Sequence, residues 1–577
     1  LFSITVKIQR NIGKKLRFNF VSIFVSLKKI TDMKKIVLLI LIANYQLSII
    51  NCSAQGWNQY PYAPPGTQLT FPADEGYHPG EPVEWWYTIG HVTGTNTGKD
   101  YSYMLTYFYY PQFGFDGFRI FNLSDDVIQT FFAETLPVNY NTMAQDHLEI
   151  GANLFTGGTE SWVTTSDVNG LVPFNYHISA TQANGSIELD YVALKRPLIL
   201  DTTGFFYQGA TGYTYYYSQT LLSVNGIMTI DGVTEPVTGT AWIDRQWGQF
   251  NPNNGEKYEW FCVQLDNGTD LNIWNIFNAQ NQIPQLPTYR LASIYVDETT
   301  DKNTHEFQFD RQSFAYMPDS TRIYPQQWHF VYDNIDLNIT TLYSNSEVQL
   351  PFRFYEGTTS ISGTVDGQPV TGMGFAELLH SYSVPVVNTV VPADGQSWAP
   401  GLVDWELANP EGGREIWYDV EYSTDNKQNW NSVATGITET EVAWDAIGIS
   451  YGTEVWLKIT AYSIDHTLTG TYETGQPFTI GAVGINDAST SLSMATVYPN
   501  PGKGNFVISF SDAALTPEAV SLLTLQGKQV MYKTLNRKEI TDGKIELQLS
   551  GLPAGTYLAR VEMNNGKTAS VKISVTE

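Results

Sequence analysis

Acids set among tryptophans and tyrosines recur along the chain. Glu84-Trp85-Trp86-Tyr87 is the first such run, Trp242-Ile243-Asp244-Arg245-Gln246-Trp247 the second, and Glu259 beside Trp260 and Phe261 the third. Tyr215-Tyr216-Tyr217-Ser218 precedes the second run. A carboxyl group enclosed by apolar side chains is harder to ionise, so its pKa rises and it can hold a proton near neutrality. Indole and phenol faces stabilise a nearby cation. Together these suit protonation of an alkene followed by capture of the carbocation by water. The same residues also suit plain barrel packing, with Arg245 neutralising a buried acid, because structural ion pairs are common.

Other chemistries find less support. The eight histidines are scattered, with His78 and His91 the closest pair, and none forms an H-E-x-x-H unit. There is no glycine-rich phosphate loop before a helix, so no metal and no cofactor is expected. Gly448-Ile449-Ser450-Tyr451-Gly452 fits G-x-S-x-G, but a nucleophile elbow needs a helix after the turn and here a strand follows. Of the two cysteines, Cys52 falls in a leader and Cys262 reads as a small buried residue. The 58 acidic against 32 basic residues give a formal charge of -26. Such a surface repels nucleic acid and anionic membranes, and it keeps a secreted protein soluble.

The elements that must position the acids are strands. Tyr101-Ser102-Tyr103-Met104-Leu105-Thr106-Tyr107 and Leu271-Asn272-Ile273-Trp274-Asn275-Ile276 alternate with period two. On such strands Glu84 and Trp86 share one face, and Trp85 and Tyr87 the other. Trp242 pairs in the same way with Asp244, and Glu259 with Phe261. One barrel face is then expected to present acids beside large aromatics. Asp-Gly and Asn-Gly pairs mark hairpin turns. Residues 225–244 and 362–377 repeat a strand, an Asp-Gly turn, Pro-Val-Thr-Gly and a strand carrying an acid. Aligned on the tetrapeptide, Trp242 matches Phe375 and Asp244 matches Glu377, which argues for two related β units.

The chain is therefore expected to be all-β and modular. Residues 1–32 read as an upstream extension ahead of Met33, and 33–54 as a signal peptide with Lys34 and Lys35 before an apolar run. No further run is apolar enough to span a membrane, so the mature chain is expected to have no transmembrane segment. Residues 57–250 and 251–384 would hold the two related barrels. Residues 385–482 resemble a fibronectin type III domain, through the Trp405 strand, the Tyr422-Ser423-Thr424-Asp425 corner and Ala461-Tyr462-Ser463. Such domains are usually spacers or docking modules. A linker occupies 483–494. Within 495–577, Val497-Tyr498-Pro499-Asn500-Pro501, Leu525-Gln526-Gly527-Lys528 and Leu552-Pro553-Ala554-Gly555-Thr556-Tyr557 resemble the C-terminal sorting domain of type IX secretion in Bacteroidetes. The resemblance implies the type IX machinery as a partner and a secreted or surface location.

The Glu84-Trp85-Trp86-Tyr87, Tyr215-Tyr216-Tyr217-Ser218 and Ala241-Trp242-Ile243-Asp244-Arg245-Gln246-Trp247-Gly248 segments resemble the secreted, lipocalin-like AttH-type family. Its relatives include carotenoid hydratases (hydroxyneurosporene synthases) and fungal hydratases and cyclases. The resemblance covers roughly 57–384 and implies two packed lipocalin-like barrels. It makes Glu84, Trp85, Trp86, Tyr87, Trp242, Asp244, Arg245 and Trp247 candidates, to which Tyr217 and Glu259 are added as lining residues. The leading expectation is binding of an apolar or amphipathic small molecule and acid-catalysed hydration of an isoprenoid-like alkene, with Asp244 as proton donor and Glu84 as second acid or base. The rival is a surface protein that holds a lipid or pigment without chemistry. Carbohydrate binding is a third reading, distinguished by an open, polar site rather than a deep one.

Overall fold

The structure, a computed structural model, describes residues 56–577 apart from 113, 251–253, 350–351, 482–494, 511–515, 525–527, 537–538, 542, 550, 565–567 and 577. The expected extension, signal peptide and linker, with Cys52, lie outside the described residues. Every element described below lies within Tyr60–Glu577. No described helix is long and apolar enough to cross a membrane.

Alternation buries one face of outer strands such as Gly185–Ala193, strands between the sheets such as Asp270–Phe277 are buried on both, and long antiparallel hairpins follow. The first sheet comprises β1 (Val83–Gly94), β2 (Asp100–Gln112), β3 (Phe115–Asp125), β4 (Thr130–Met143), β5 (Glu149–Leu154), β6 (Thr159–Asp167), β7 (Gly170–Gln182) and β8 (Gly185–Ala193). It continues with β9 (Leu198–Ile199), β10 (Phe205–Gln208), β11 (Gly212–Ile230) and β12 (Val233–Gln249). β12 pairs with β1, successive strands then pair out to β8, and β8 pairs back onto β11. The sheet thus closes into a ten-strand barrel. β11 is long enough to change neighbours at a register shift between Gln219 and Leu222, pairing with β8 beyond it and with β9 and β10 before it. The segment before β1 caps the barrel with a single 3-10 turn, Ala73–Glu75, whose Glu75 is fully buried.

The second sheet comprises β13 (Lys257–Leu265), β14 (Asp270–Phe277), β15 (Arg290–Asp297), β16 (Thr300–Thr304) and β17 (Gln308–Tyr316). β18 (Ile323–Tyr332), β19 (Ile335–Thr341), β20 (Glu347–Val348), β21 (Phe354–Val365) and β22 (Gln368–Leu378) complete it. Its order runs β16-β15-β14-β13-β22-β21-β19-β18-β17. The two packed lipocalin-like units are present, with one difference from expectation. β16 and β17 do not pair among the described residues, so the second sheet is a half-barrel. Its concave face holds Phe261, Trp328, Phe330 and Leu337. Its convex face packs Trp260, Cys262, Trp274 and Phe375 against Tyr87, Ile89, Met104 and Trp242 on the outer wall of the barrel. The turns Asp231-Gly232 and Asp366-Gly367 have positive φ at both residues, as the β11–β12 and β21–β22 hairpins of the repeat require.

Beyond β22 lies a two-sheet sandwich with Trp405, Val420, Leu457 and Phe478 in its core, the arrangement of a fibronectin type III-like domain. It docks on the half-barrel. The Tyr382 hydroxyl donates to the Gly412 carbonyl at 2.8 Å, Asp465 accepts from the Phe314 amide at 2.7 Å, and Leu468 packs with Phe277 and Phe314. Gly448–Gly452 is a loop between the strands Glu441–Trp444 and Glu454–Tyr462, so no nucleophile elbow forms. The C-terminal module is a second sandwich of two four-stranded sheets.

Candidate functional site

The register between β1 and β12 decides which candidate residues meet. Glu84 lies opposite Trp247, Trp86 opposite Arg245, and Tyr87 opposite Asp244. Directly opposed residues share a face and neighbours along a strand do not. Glu84, Trp86, Arg245 and Trp247 therefore point into the barrel, together with Tyr217, which lies opposite Arg245 on β11. Trp85, Tyr87, Trp242 and Asp244 point outward. The two acids expected to share one cavity are separated by the barrel wall. Residue type alone could not reveal this, because parity within a strand says nothing about the register of its neighbour.

The outward residues meet the half-barrel in an apolar seam. Asp244 is 2% exposed. It accepts hydrogen bonds from the Tyr216 hydroxyl at 2.6 Å, the Ser218 hydroxyl at 2.5 Å and the Trp242 indole N–H at 2.7 Å. Burial pushes its pKa up to about 7 against those three donors, and the charge of Glu377 adds to the rise. Asn272 on β14 donates to both the Tyr216 and Ser218 oxygens at 3.1 Å. Across the seam Glu377 on β22 lies opposite Glu356 on β21. The two carboxyls, Glu356 buried and Glu377 half-buried, are close enough to share a proton. Burial and the charge of Glu377 drive Glu356 well above the ordinary range, and burial raises Glu377 as well. Tyr87 donates to Glu356 at 2.9 Å and Tyr258 donates to Glu377. Trp260 stands edge-on to Tyr87, with ring centroids 5.3 Å apart. A cleft of about 290 Å³ between β4 and β20 opens beside this seam, and its Phe131 and Val348 belong to the same apolar cluster.

Inside the barrel the acids serve a different arrangement. The Arg245 guanidinium donates to Glu84 at 2.6 Å and to the carbonyls of Trp85, Gly76 and Glu75 at 2.6, 2.7 and 3.2 Å. It lies 4.2 Å over the Trp86 ring. Arg245 thus pins the cap to the barrel. His78 places Nδ1 2.8 Å from Glu84 and Nε2 3.2 Å from Asp74. Burial opposes its charge, but the two carboxylates outweigh that and raise its pKa. Glu75 accepts from Tyr176 at 2.5 Å and Tyr60 at 2.7 Å, and burial lifts it to about 7.

Glu259 belongs to neither group. It faces the concave side of the half-barrel and is ion-paired with the buried Arg311. Sequence reasoning did not place Glu356, Glu377, Tyr258 or Glu75 in a site. For Glu377 a signal existed in the repeat, which aligns it with Asp244. Glu356 has no motif and is identified by pairing register alone. Among the described residues, no group of three or more His, Cys, Asp or Glu side chains is disposed to hold a metal ion.

The AttH-like family matches residues 62–382, and the secretion system C-terminal sorting domain matches residues 496–576. The latter supports type IX secretion, and with it a location outside the cell or on its surface. Kievitone hydratase of Fusarium solani subsp. phaseoli is 23% identical over 315 residues, which cover 51% of this chain and 82% of that protein. Among solved structures, a putative AttH from Nitrosomonas europaea is 23% identical, with a TM-score of 0.46, over 56% of this chain and 98% of its own. Kievitone hydratase from Nectria haematococca is 16% identical, also with a TM-score of 0.46 and the same two coverages.

Proposed function

Since the chain belongs to the AttH-like family, we propose that it is an extracellular hydratase that adds water to an alkene of an apolar or amphipathic small molecule at the seam between barrel and half-barrel. The observation that carries this reading is the group of three carboxyls, the buried Asp244 and Glu356 and the half-buried Glu377, set among Tyr87, Trp242, Trp260 and Trp274. Two carboxyls that share a proton in an apolar site keep one of them neutral near pH 7. The Glu356–Glu377 pair would donate its proton to the alkene carbon, leaving a carbocation flanked by ring faces. Water would then form the C–O bond and lose a proton to a carboxylate of the group, so that one water is added and the proton inventory is restored. Asp244, held by three donors, would position that water. Asp244 thus keeps a place in the site but not the proton-donor role expected from sequence, which passes to the Glu356–Glu377 pair, with Glu377 in place of Glu84 as the second acid. The similarity to kievitone hydratase supports the reaction class.

The test is incubation of the full chain with a lipid extract of the host in oxygen-18 water, followed by mass spectrometry of bound and released species against a protein-free control. A product heavier by one labelled water, lost in Asp244→Asn and Glu377→Gln while ligand retention persists, is the expected result. Ligand enriched at unchanged mass would replace hydration by the binding-protein reading.

A further inference from the structure

On the far side of the wall from the seam, the mouth of the barrel holds an open cleft of about 400 Å³. It is lined by Gln68, Asp74, His78, Glu81, Tyr215 and Trp247 among others. Three rings build one wall. His78 stacks on Trp247 with centroids 3.9 Å apart and planes 6° apart, and Tyr215 stacks on Trp247 at 5.5 Å and 8°. Trp247 is buried, whereas Tyr215 and His78 are half-buried.

Within this wall His78 is held from behind. Both His78 nitrogens face carboxylates, Glu84 and Asp74, which favour its doubly protonated form. Its backbone amide also donates to Glu84 at 2.9 Å, and Glu84 is fixed in turn by Arg245. Charge in the cleft is therefore mostly balanced. Asp74 and Glu84 are matched by His78 and Arg245, which leaves Glu81 as the carboxylate free to serve a ligand. Glu81 is half-buried and oriented by the Tyr213 hydroxyl at 2.8 Å.

We propose that this cleft binds a saccharide ring, with Tyr215 as the platform for its C–H face and Glu81 and Gln68 as partners for its hydroxyls. An open site that pairs a preorganised aromatic wall with an acceptor carboxylate and an amide matches a neutral ring bearing many hydroxyls. An organic cation would demand an excess of negative charge, which the ion pairs of His78 and Arg245 remove. A drug-sized apolar ligand would demand a deeper and less polar enclosure. This site is independent of the chemistry at the seam, so either can fail without the other.

The test is saturation-transfer NMR on the full chain with methyl glycosides of glucose, galactose, mannose and N-acetylglucosamine at millimolar concentration, with choline as a cationic probe. At least one glycoside should receive saturation. Loss of a ring contact worth about 1 kcal/mol means that Tyr215→Ala should weaken that binding by at least about fivefold. Glu81→Gln, which keeps the shape and the Tyr213 contact, should also weaken it and guards against misfolding of the tyrosine variant. The proposal is overturned by no transfer to any glycoside, by transfer that neither variant reduces, or by transfer to choline alone.

Discussion

Replacing Asp244 by Asn should make the protein less sensitive to pH, in a direction that the seam geometry dictates. Asp244 moves from 3.8 in the unfolded chain to about 7 in the folded one. A carboxyl whose pKa is raised by folding holds its proton more tightly when folded. Its contribution to stability is therefore complete below about pH 3.8 and is lost as pH rises through about 7. A gap of roughly three units corresponds to about 4 kcal/mol over that window. Asn cannot ionise, so it escapes this loss. Its carbonyl can still accept from Ser218 and Trp242, and its amide can turn toward the Tyr216 oxygen. Asp244→Asn should thus be no more stable than the parent at pH 4, but should gain on it by about 3 kcal/mol by pH 7. Urea denaturation of both full-length proteins, followed by tryptophan fluorescence at several pH values, gives the comparison. Glu75 and Asp126, also near 7, titrate alike in both proteins and cancel from the difference. A stability difference that stays flat between pH 4 and pH 7 would refute the argument, because Asp244 would then ionise in the folded state as readily as in water.

Two further outcomes follow from burial and pairing. Arg245→Met should destabilise the barrel by about 3–5 kcal/mol, since it leaves Glu84 buried without its cation and frees the cap carbonyls, and a midpoint shift worth under about 1 kcal/mol would show that the cap is held by other contacts. Cys262 is fully buried and its thiol is pushed well above 9 by burial, so a thiol reagent should fail to label the native protein and label it fully in urea; rapid native labelling would mean that the seam opens.

Much of the fold could be read from the chain because its signals are local. Alternation set the strands, Asp231-Gly232 and Asp366-Gly367 set the hairpins, and the Pro-Val-Thr-Gly repeat announced two related units. The open edge of the second sheet could not be read, since closure depends on whether β16 and β17 reach each other. The site was legible to the extent that acids beside aromatics were singled out and Asp244 proved to be buried among them. Its composition was not, because Glu84 and Asp244 differ only in which side of the wall the register assigns them. Glu259 illustrates the same limit. Its neighbours Trp260 and Phe261 resemble those of Asp244, yet the strand turns it toward Arg311 and away from the seam.

The repeat has a consequence in symmetry. Asp244 and Glu377, equivalent by the repeat, lie within electrostatic reach of each other at the seam, and Trp242 and Phe375 belong to one apolar cluster there. Equivalent residues that meet at an interface are the mark of an isologous contact, the kind made by a two-fold homodimer. The barrel and half-barrel are in effect such a dimer tied into one chain. A true homodimer must place every substitution twice, whereas a tethered one need not. Opposite Asp244 the neighbouring strand carries Ser218, and opposite Glu377 it carries Glu356. One half thus holds its acid among neutral donors and the other sets a second acid beside it. That asymmetry, which identical subunits could not sustain, gives the seam carboxyls of unequal proton affinity.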